Sequence, residues 1–164
     1  MKLHLPALLA AVLLFSPGAQ AQCGTRNTQA FLRVIFPGTI PVDDSGQPLR
    51  QGPDSTYTVY LESASKNVAD GYAWVNGKAY AAHPFRQDAA EVIGKAKRSG
   101  EPVRINAATG NYAQWRIELT PLRSKMKAPA KAGANQVLLQ LKMAGKKCTQ
   151  TIRRITELSV PPSV

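Results

Sequence analysis

The sequence predicts an all-β fold, namely an antiparallel β-sandwich or barrel of about seven or eight strands. Two patterns favour this fold: apolar and polar residues alternate along several segments, and turn signals containing glycine separate those segments. The length of 164 residues also suits one domain with its own core after an N-terminal leader is removed.

The clearest alternation of apolar and polar residues lies in segments 112–119 and 136–143. Every second residue is apolar in both, as in a strand with one buried face. Segment 56–63 is rich in threonine, tyrosine and valine, which suit a pleated surface. Segment 29–36 is apolar on both faces except at Arg33, which favours a central position in a sheet.

Shorter strands are predicted at 73–75, 78–82 and 102–106, and another over 148–155. The Asn-Gly dipeptide between the first two predicts a type I′ hairpin, because both residues tolerate positive φ angles. One short helix is predicted near residues 87–98, where alanine, valine and isoleucine recur at roughly helical spacing.

The first 21 residues have the pattern of a cleaved secretory signal peptide. Lys2 precedes an apolar run over 5–15, and the sequence Ala-Gln-Ala at 19–21 places small residues at the cleavage positions. The apolar run is about half the roughly 20 residues that span a bilayer, so no transmembrane segment is predicted. We therefore expect a leader at 1–21 and a single β-rich domain at 22–164, located in the periplasm or fully secreted.

Two cysteines, Cys23 and Cys148, remain after the leader. In an oxidising compartment an isolated pair predicts one disulfide bond. The wide separation does not resemble the Cys-x-x-Cys spacing of a redox couple, so the bond is expected to be a structural clamp.

Positive charge is concentrated in the second half of a chain whose net charge is +11. Segment 22–94 holds six basic and seven acidic residues, whereas segment 95–154 holds fourteen basic residues and two acidic ones. This asymmetry predicts contact with an anionic envelope component or an acidic protein partner. The alternative is a solvated basic face that only aids solubility. No specific nucleic-acid binding is expected, because none of the usual signatures is present.

A flexible basic loop at 121–135 is the candidate binding site. Its cations lie on a semi-extended segment, and lysines of the flanking strands come near it if those strands pair as a hairpin. The candidate residues for an anionic partner are Arg123, Lys125, Lys127, Lys131, Lys142, Lys146 and Lys147.

No catalytic, metal or cofactor site is predicted. His83 is the one histidine after the leader, and no Gly-x-Ser-x-Gly motif accompanies it. One histidine and two cysteines cannot form the usual zinc ligand set. Asp43, Asp44 and Asp54 match no EF-hand spacing, so they are interpreted as solvated loop carboxylates.

The sequence therefore predicts an exported, non-enzymatic binding or accessory protein of the bacterial envelope. One alternative is a structural subunit of a pilus, secretion or transfer apparatus, which requires strand 29–36 to be an exposed edge. A further alternative is a hydrolase acting on envelope polymers, which requires a pocket that joins His83 to two carboxylates.

Overall fold

A computed structural model describes residues 23–36, 42–49 and 53–159. The predicted leader at 1–21 lies outside these residues, as do parts of the connection at 37–53. All the regular elements within the described ranges are strands, so the all-β class is confirmed. This part of the chain contains no helix able to cross a membrane.

Ten strands form one sheet across the described residues, where the sequence predicted about seven or eight. The strands are β1 Thr25–Ile35, β2 Asp54–Ser63, β3 Val68–Val75, β4 Lys78–Arg86, β5 Glu91–Ala96, β6 Pro102–Ile105, β7 Ala113–Pro121, β8 Val137–Met143, β9 Lys146–Ile152 and β10 Ile155–Ser159. Their order in the sheet is β6-β5-β10-β1-β2-β7-β4-β3-β8-β9.

The helix predicted near 87–98 is wrong, because this segment contains strand β5. Ile93 is buried while its neighbour Val92 is 55% exposed, so the apolar residues do not share one helical face. Gly94 has a φ of 140°, which a right-handed helix does not allow. The glycine lies at a register shift in the pairing of β5 with β6, where a bulge accommodates this backbone.

The strand predicted over 148–155 is two strands, which accounts for part of the higher count. β9 pairs with β8 in the antiparallel sense, and β10 begins three residues after β9 ends and pairs with β1. The pairing of β10 with β1 is parallel, whereas the sequence predicted an antiparallel fold. β10 follows β9 in the chain and reaches β1 from there, so no hairpin joins β1 to β10. A parallel pair is therefore possible here.

The sheet is rolled around its main core but is not closed by hydrogen bonds between its end strands. Alternate residues of β2, β7 and β8 point into this core, with Leu61, Ile117 and Leu139 almost completely buried. The end strand β9 returns close to the start of β1, where the Thr25 hydroxyl donates to Gln150 Oε1 at 3.0 Å. We call this line of contact between β1 and β9 the seam.

The β5–β6 hairpin, here called the wing, extends the sheet beyond β10. Its Ile93 and Ile105 pack with Phe31 and Tyr60, whose side chains lie on the outer face of β1 and β2. The rings of Phe31 and Tyr60 meet edge to face, with centroids 5.8 Å apart. The wing therefore folds back over the outside of the rolled sheet and forms a second, smaller core there.

Candidate functional site

The basic loop connects β7 to β8 and lies against the outer face of β3, β4 and β8. Its apolar residues, including Leu122 and Met126, pack on Trp74 and Leu138. The Trp74 indole donates to the Met126 carbonyl at 3.1 Å. The two ends of the loop are also tied to the β3–β4 hairpin, because the amide of Leu122 donates to the Ala79 carbonyl at 3.0 Å and that of Asn135 donates to Asn76 Oδ1 at 3.2 Å.

A groove of about 520 Å³ runs between this loop and the β3–β4 hairpin. Leu122, Met126 and Ala79 contribute apolar surface to it. Its charged lining residues are Lys78, Arg123, Lys125 and Lys127, and no carboxylate lies among the lining residues. We call this feature the basic groove.

The cations of the basic groove have no acidic partner within the described ranges. The ion pairs found there use other basic residues: Arg26, His83, Arg86, Lys97 and Arg116. Part of the cause lies in the sequence, since no carboxylate occurs between Glu118 and Glu157, the segment that holds Arg123, Lys125 and Lys127. The positive charge of the groove is therefore compensated only by solvent and mobile ions.

Three of the predicted binding residues, Lys142, Lys146 and Lys147, lie elsewhere, on the β8–β9 hairpin. Lys142 is directly opposite Lys147 in the antiparallel pair. It shares the outer face of β8 with Leu138, against which the loop packs, but the two residues are four positions apart, or about 13 Å along the strand. The structure thus divides the predicted site into two basic regions, one at each end of β8.

The structure places Lys131 in the loop and exposed, but not in the lining of the groove. It adds Lys78, which sequence reasoning did not select. Lys78 follows the Asn76-Gly77 turn, whose residues have φ angles of 48° and 77°, so the predicted type I′ hairpin is supported. Tyr80 pairs with Pro121 at the junction of β4 and the loop, and this long-range pairing brings Lys78 to the groove.

The two cysteines are neighbours across the seam, but the structure does not join them in a disulfide. Partial burial, a thiol hydrogen bond with Cys148 and the proximity of a second ionisable thiol raise the pKa of Cys23 to about 12. The reduced Cys23 thiol is therefore protonated, and weakly nucleophilic, at neutral pH.

His83 lies in the middle of β4, with carboxylates on both neighbouring strands. Its Nδ1 is 3.5 Å from Asp70 Oδ2, and His83 pairs across the sheet with Glu118. These side chains are exposed on the outer face, with 75% of the Asp70 side chain accessible. The hydrolase alternative requires an enclosed arrangement, and this one is open to solvent.

Two other sequence expectations concern assembly and metals. β1, which contains most of segment 29–36, is paired on both sides, with β2 and with β10, so it is not the exposed edge that the structural-subunit alternative requires. Asp43 accepts hydrogen bonds from Ser45 and Gln47 in a tight turn. Over the described residues, no group of three or more histidine, cysteine or acidic side chains is placed to hold a metal ion.

Comparison of the chain with protein-family models, with curated proteins and with solved structures finds no match in any of the three. The chemistry of the clefts on this sheet therefore carries the functional argument.

Proposed function

We propose that this protein is an exported, non-enzymatic binding protein of the bacterial envelope, and that its basic groove binds a phosphate-bearing anionic surface. The observation that carries the proposal is a groove lined by four cations and no carboxylate. Phosphate groups of lipid headgroups and of lipopolysaccharide share the chemistry that such a groove recognises.

The expected strength follows from the number of charges. A lysine or arginine close to an anionic membrane contributes about 1 kcal/mol, so four of them supply roughly 4 kcal/mol, or about a thousandfold in affinity. Lys142 and Lys147 are like charges directly opposite each other, an arrangement that costs free energy in isolation. A nearby anionic surface lowers that cost as well, so the hairpin adds a weaker second contact.

We further propose that Cys23 and Cys148 form a disulfide after export. The two thiols are neighbours across the seam, close enough for a hydrogen bond although not joined, and the sequence of the leader indicates an oxidising compartment. The bond would join the start of β1 to β9. Among the described residues, these two strands are not paired by backbone hydrogen bonds.

Binding to vesicles tests the proposal. The exported chain is mixed with vesicles of phosphatidylethanolamine alone, or of phosphatidylethanolamine with phosphatidylglycerol, and the sedimented fraction is measured at low and at physiological salt. We expect binding only to the anionic vesicles, and weaker binding at the higher salt because exposed charges are screened.

Two quadruple variants remove the same charge from different places. K78Q/R123Q/K125Q/K127Q empties the groove of cations, and K66Q/K142Q/K146Q/K147Q removes four exposed cations at the other end of β8. We expect about a thousandfold loss for the groove variant at low salt and a much smaller loss for its control. Equal losses of vesicle affinity in the two variants would overturn the proposal. Tighter binding of the unmodified chain to polyglutamate than to anionic vesicles would overturn it as well.

A further inference from the structure

A second cleft, of about 310 Å³, lies between the wing and the outer face of β1, β2 and β7. Its polar lining includes Arg33, Thr58, Tyr60, Glu91, Arg116 and Glu118. Thr58 pairs with Glu118 across β2 and β7, and Tyr60 pairs with Arg116, so the floor is a regular patch of cross-strand neighbours. Glu91 of β5 belongs to the wall formed by the wing.

The charges of this cleft cancel, since two guanidinium groups face two carboxylates. Tyr60 lies among all four charged groups and is only 4% exposed. Burial, followed by the nearby Glu91 carboxylate, raises the pKa of Tyr60 above its ordinary value. The phenol therefore keeps its proton and is available as a hydrogen-bond donor.

The guanidinium groups are held in place by the protein itself. Arg33 Nη2 donates to the Ile93 carbonyl at 2.8 Å, which joins the floor to the wing. Arg116 Nη2 lies 3.0 Å from Glu118 Oε1. The Nε of Arg116 is buried and has no hydrogen-bond partner within the part of the chain that the structure describes. An incompletely satisfied guanidinium gains free energy from an additional acceptor.

A smaller polar lobe of about 60 Å³ adjoins the cleft and shares Tyr60 with it. Its lining includes Gln29, Glu62, Asn106 and Gln114, three of which carry planar amide groups. Burial alone would raise the pKa of Glu62, but hydrogen bonds from Asn27 and Arg26 outweigh it and hold the pKa below its ordinary value. This lobe also presents both donors and acceptors.

An exposed aromatic ring flanks the cleft on its β4 side. Phe85 pairs directly with Arg116, is 46% exposed, and has the Arg116 guanidinium carbon 5.7 Å from its ring centroid. A half-exposed phenylalanine beside polar, planar side chains offers an apolar face next to groups that form directional hydrogen bonds.

We propose that the wing cleft binds a neutral saccharide unit of a glycan. Sugars present hydroxyl groups that both donate and accept, which matches a lining of carboxylates, guanidinium groups, amides and hydroxyls. The balanced charge gives no preference for an anion, in contrast to the rest of this basic chain. The C–H face of a sugar ring packs on Phe85, and the volume lies near the lower limit of small-molecule sites, which suits one or two sugar rings.

Titration with uncharged oligosaccharides tests this inference. The exported chain is titrated with N-acetylglucosamine oligomers and with maltooligosaccharides, and binding is followed by calorimetry and by saturation-transfer NMR. We expect at least one series to bind, with an affinity that salt does not change. Failure of both series at millimolar concentration, or binding of free amino acids in their place, would overturn it.

Two variants locate the binding. Y60F removes one buried hydroxyl and is expected to weaken binding by up to about tenfold, the effect of one hydrogen bond. Its control is Y57F, in the same strand, because Tyr57 packs against the main core on the opposite face. F85A changes an exposed ring and is expected to weaken binding without loss of the folded state. Unchanged saccharide affinity in both Y60F and F85A would refute the proposed saccharide site. If the chain binds saccharides but not anionic vesicles, only the proposal for the basic groove is refuted.

Discussion

The basic groove and the wing cleft lie on one rolled sheet, yet their charges are arranged in opposite ways. The groove collects four cations without a carboxylate, whereas the cleft pairs two arginines with two glutamates. Unpaired charge acts over a Debye length and attracts any anionic surface. Paired charge cancels at a distance and leaves only short, directional hydrogen bonds. One domain thus carries a surface suited to long-range attraction and a cleft suited to recognition by shape.

Salt is the strongest way to separate the two regions. Raising the ionic strength from low to physiological values should reduce vesicle binding steeply, by up to the thousandfold that the four groove cations supply. Saccharide binding should remain constant over the same range, because the cleft has no net charge. Calorimetry and vesicle sedimentation on the same preparation provide the measurement. A parallel decline of both affinities would mean that the two regions do not differ as described.

A substitution in the main core should destabilise the groove and the cleft together. Ile117 is fully buried in β7, the strand whose outer residues line the cleft and whose end leads into the basic loop. I117A should lower the free energy of unfolding by about 2–5 kcal/mol, as measured by urea denaturation. The exposed neighbour Thr120 is the control, and T120A should change stability by less than about 0.5 kcal/mol. A wild-type urea midpoint for I117A would contradict the placement of Ile117 in the core.

The seam offers a way to affect the cleft without the groove. If Cys23 and Cys148 are bonded after export, reduction or the C148S change should cost about 2–4 kcal/mol of stability. Saccharide binding should weaken more than vesicle binding, because β1 contributes to the cleft and the groove is built from β3, β4, β7 and the loop. Two titratable thiols in the native exported protein, before any reductant is added, would contradict the bond.

Alkaline pH gives the smallest expected effect, and only in the reduced protein. The folded pKa of Cys23 is about 12 against an ordinary value of 9.0, so the unfolded chain loses this proton first. The stability linked to this thiol is therefore fully present below pH 9 and is lost as the pH rises towards 12. Urea denaturation of the reduced protein should show this decline, and the oxidised protein should lack it. Equal pH profiles in the two redox states would exclude the assigned shift.

The strands with one buried face could be predicted from the sequence. Segments 112–119 and 136–143 alternate because β7 and β8 bury one face in the main core, and the structure confirms both. The predicted helix was wrong because the spacing of the alanines resembles a helical period. The strand is favoured instead by tertiary contacts, since Ile93 packs in the second, smaller core beneath the wing. Local patterns do not report such contacts.

The candidate sites were less accessible to sequence reasoning. The loop cations were found because they cluster along the chain, but Lys78 joins them through pairing between residues more than forty positions apart. The wing cleft collects polar residues from β1, β2, β5 and β7, and each of them, taken separately, resembles an ordinary polar residue on a strand. Only the strand order brings them together.

The position of β10 has a consequence for how the chain acquires its fold. β1 is made near the beginning of the chain, but one of its two neighbours is the last strand. Contacts this distant in sequence slow folding, since a long loop must close before they form. During synthesis β1 is made early, and the edge that pairs with β10 stays open until β10 has been made. This open edge of β1 is the place where the unfinished chain is most exposed to wrong strand pairing.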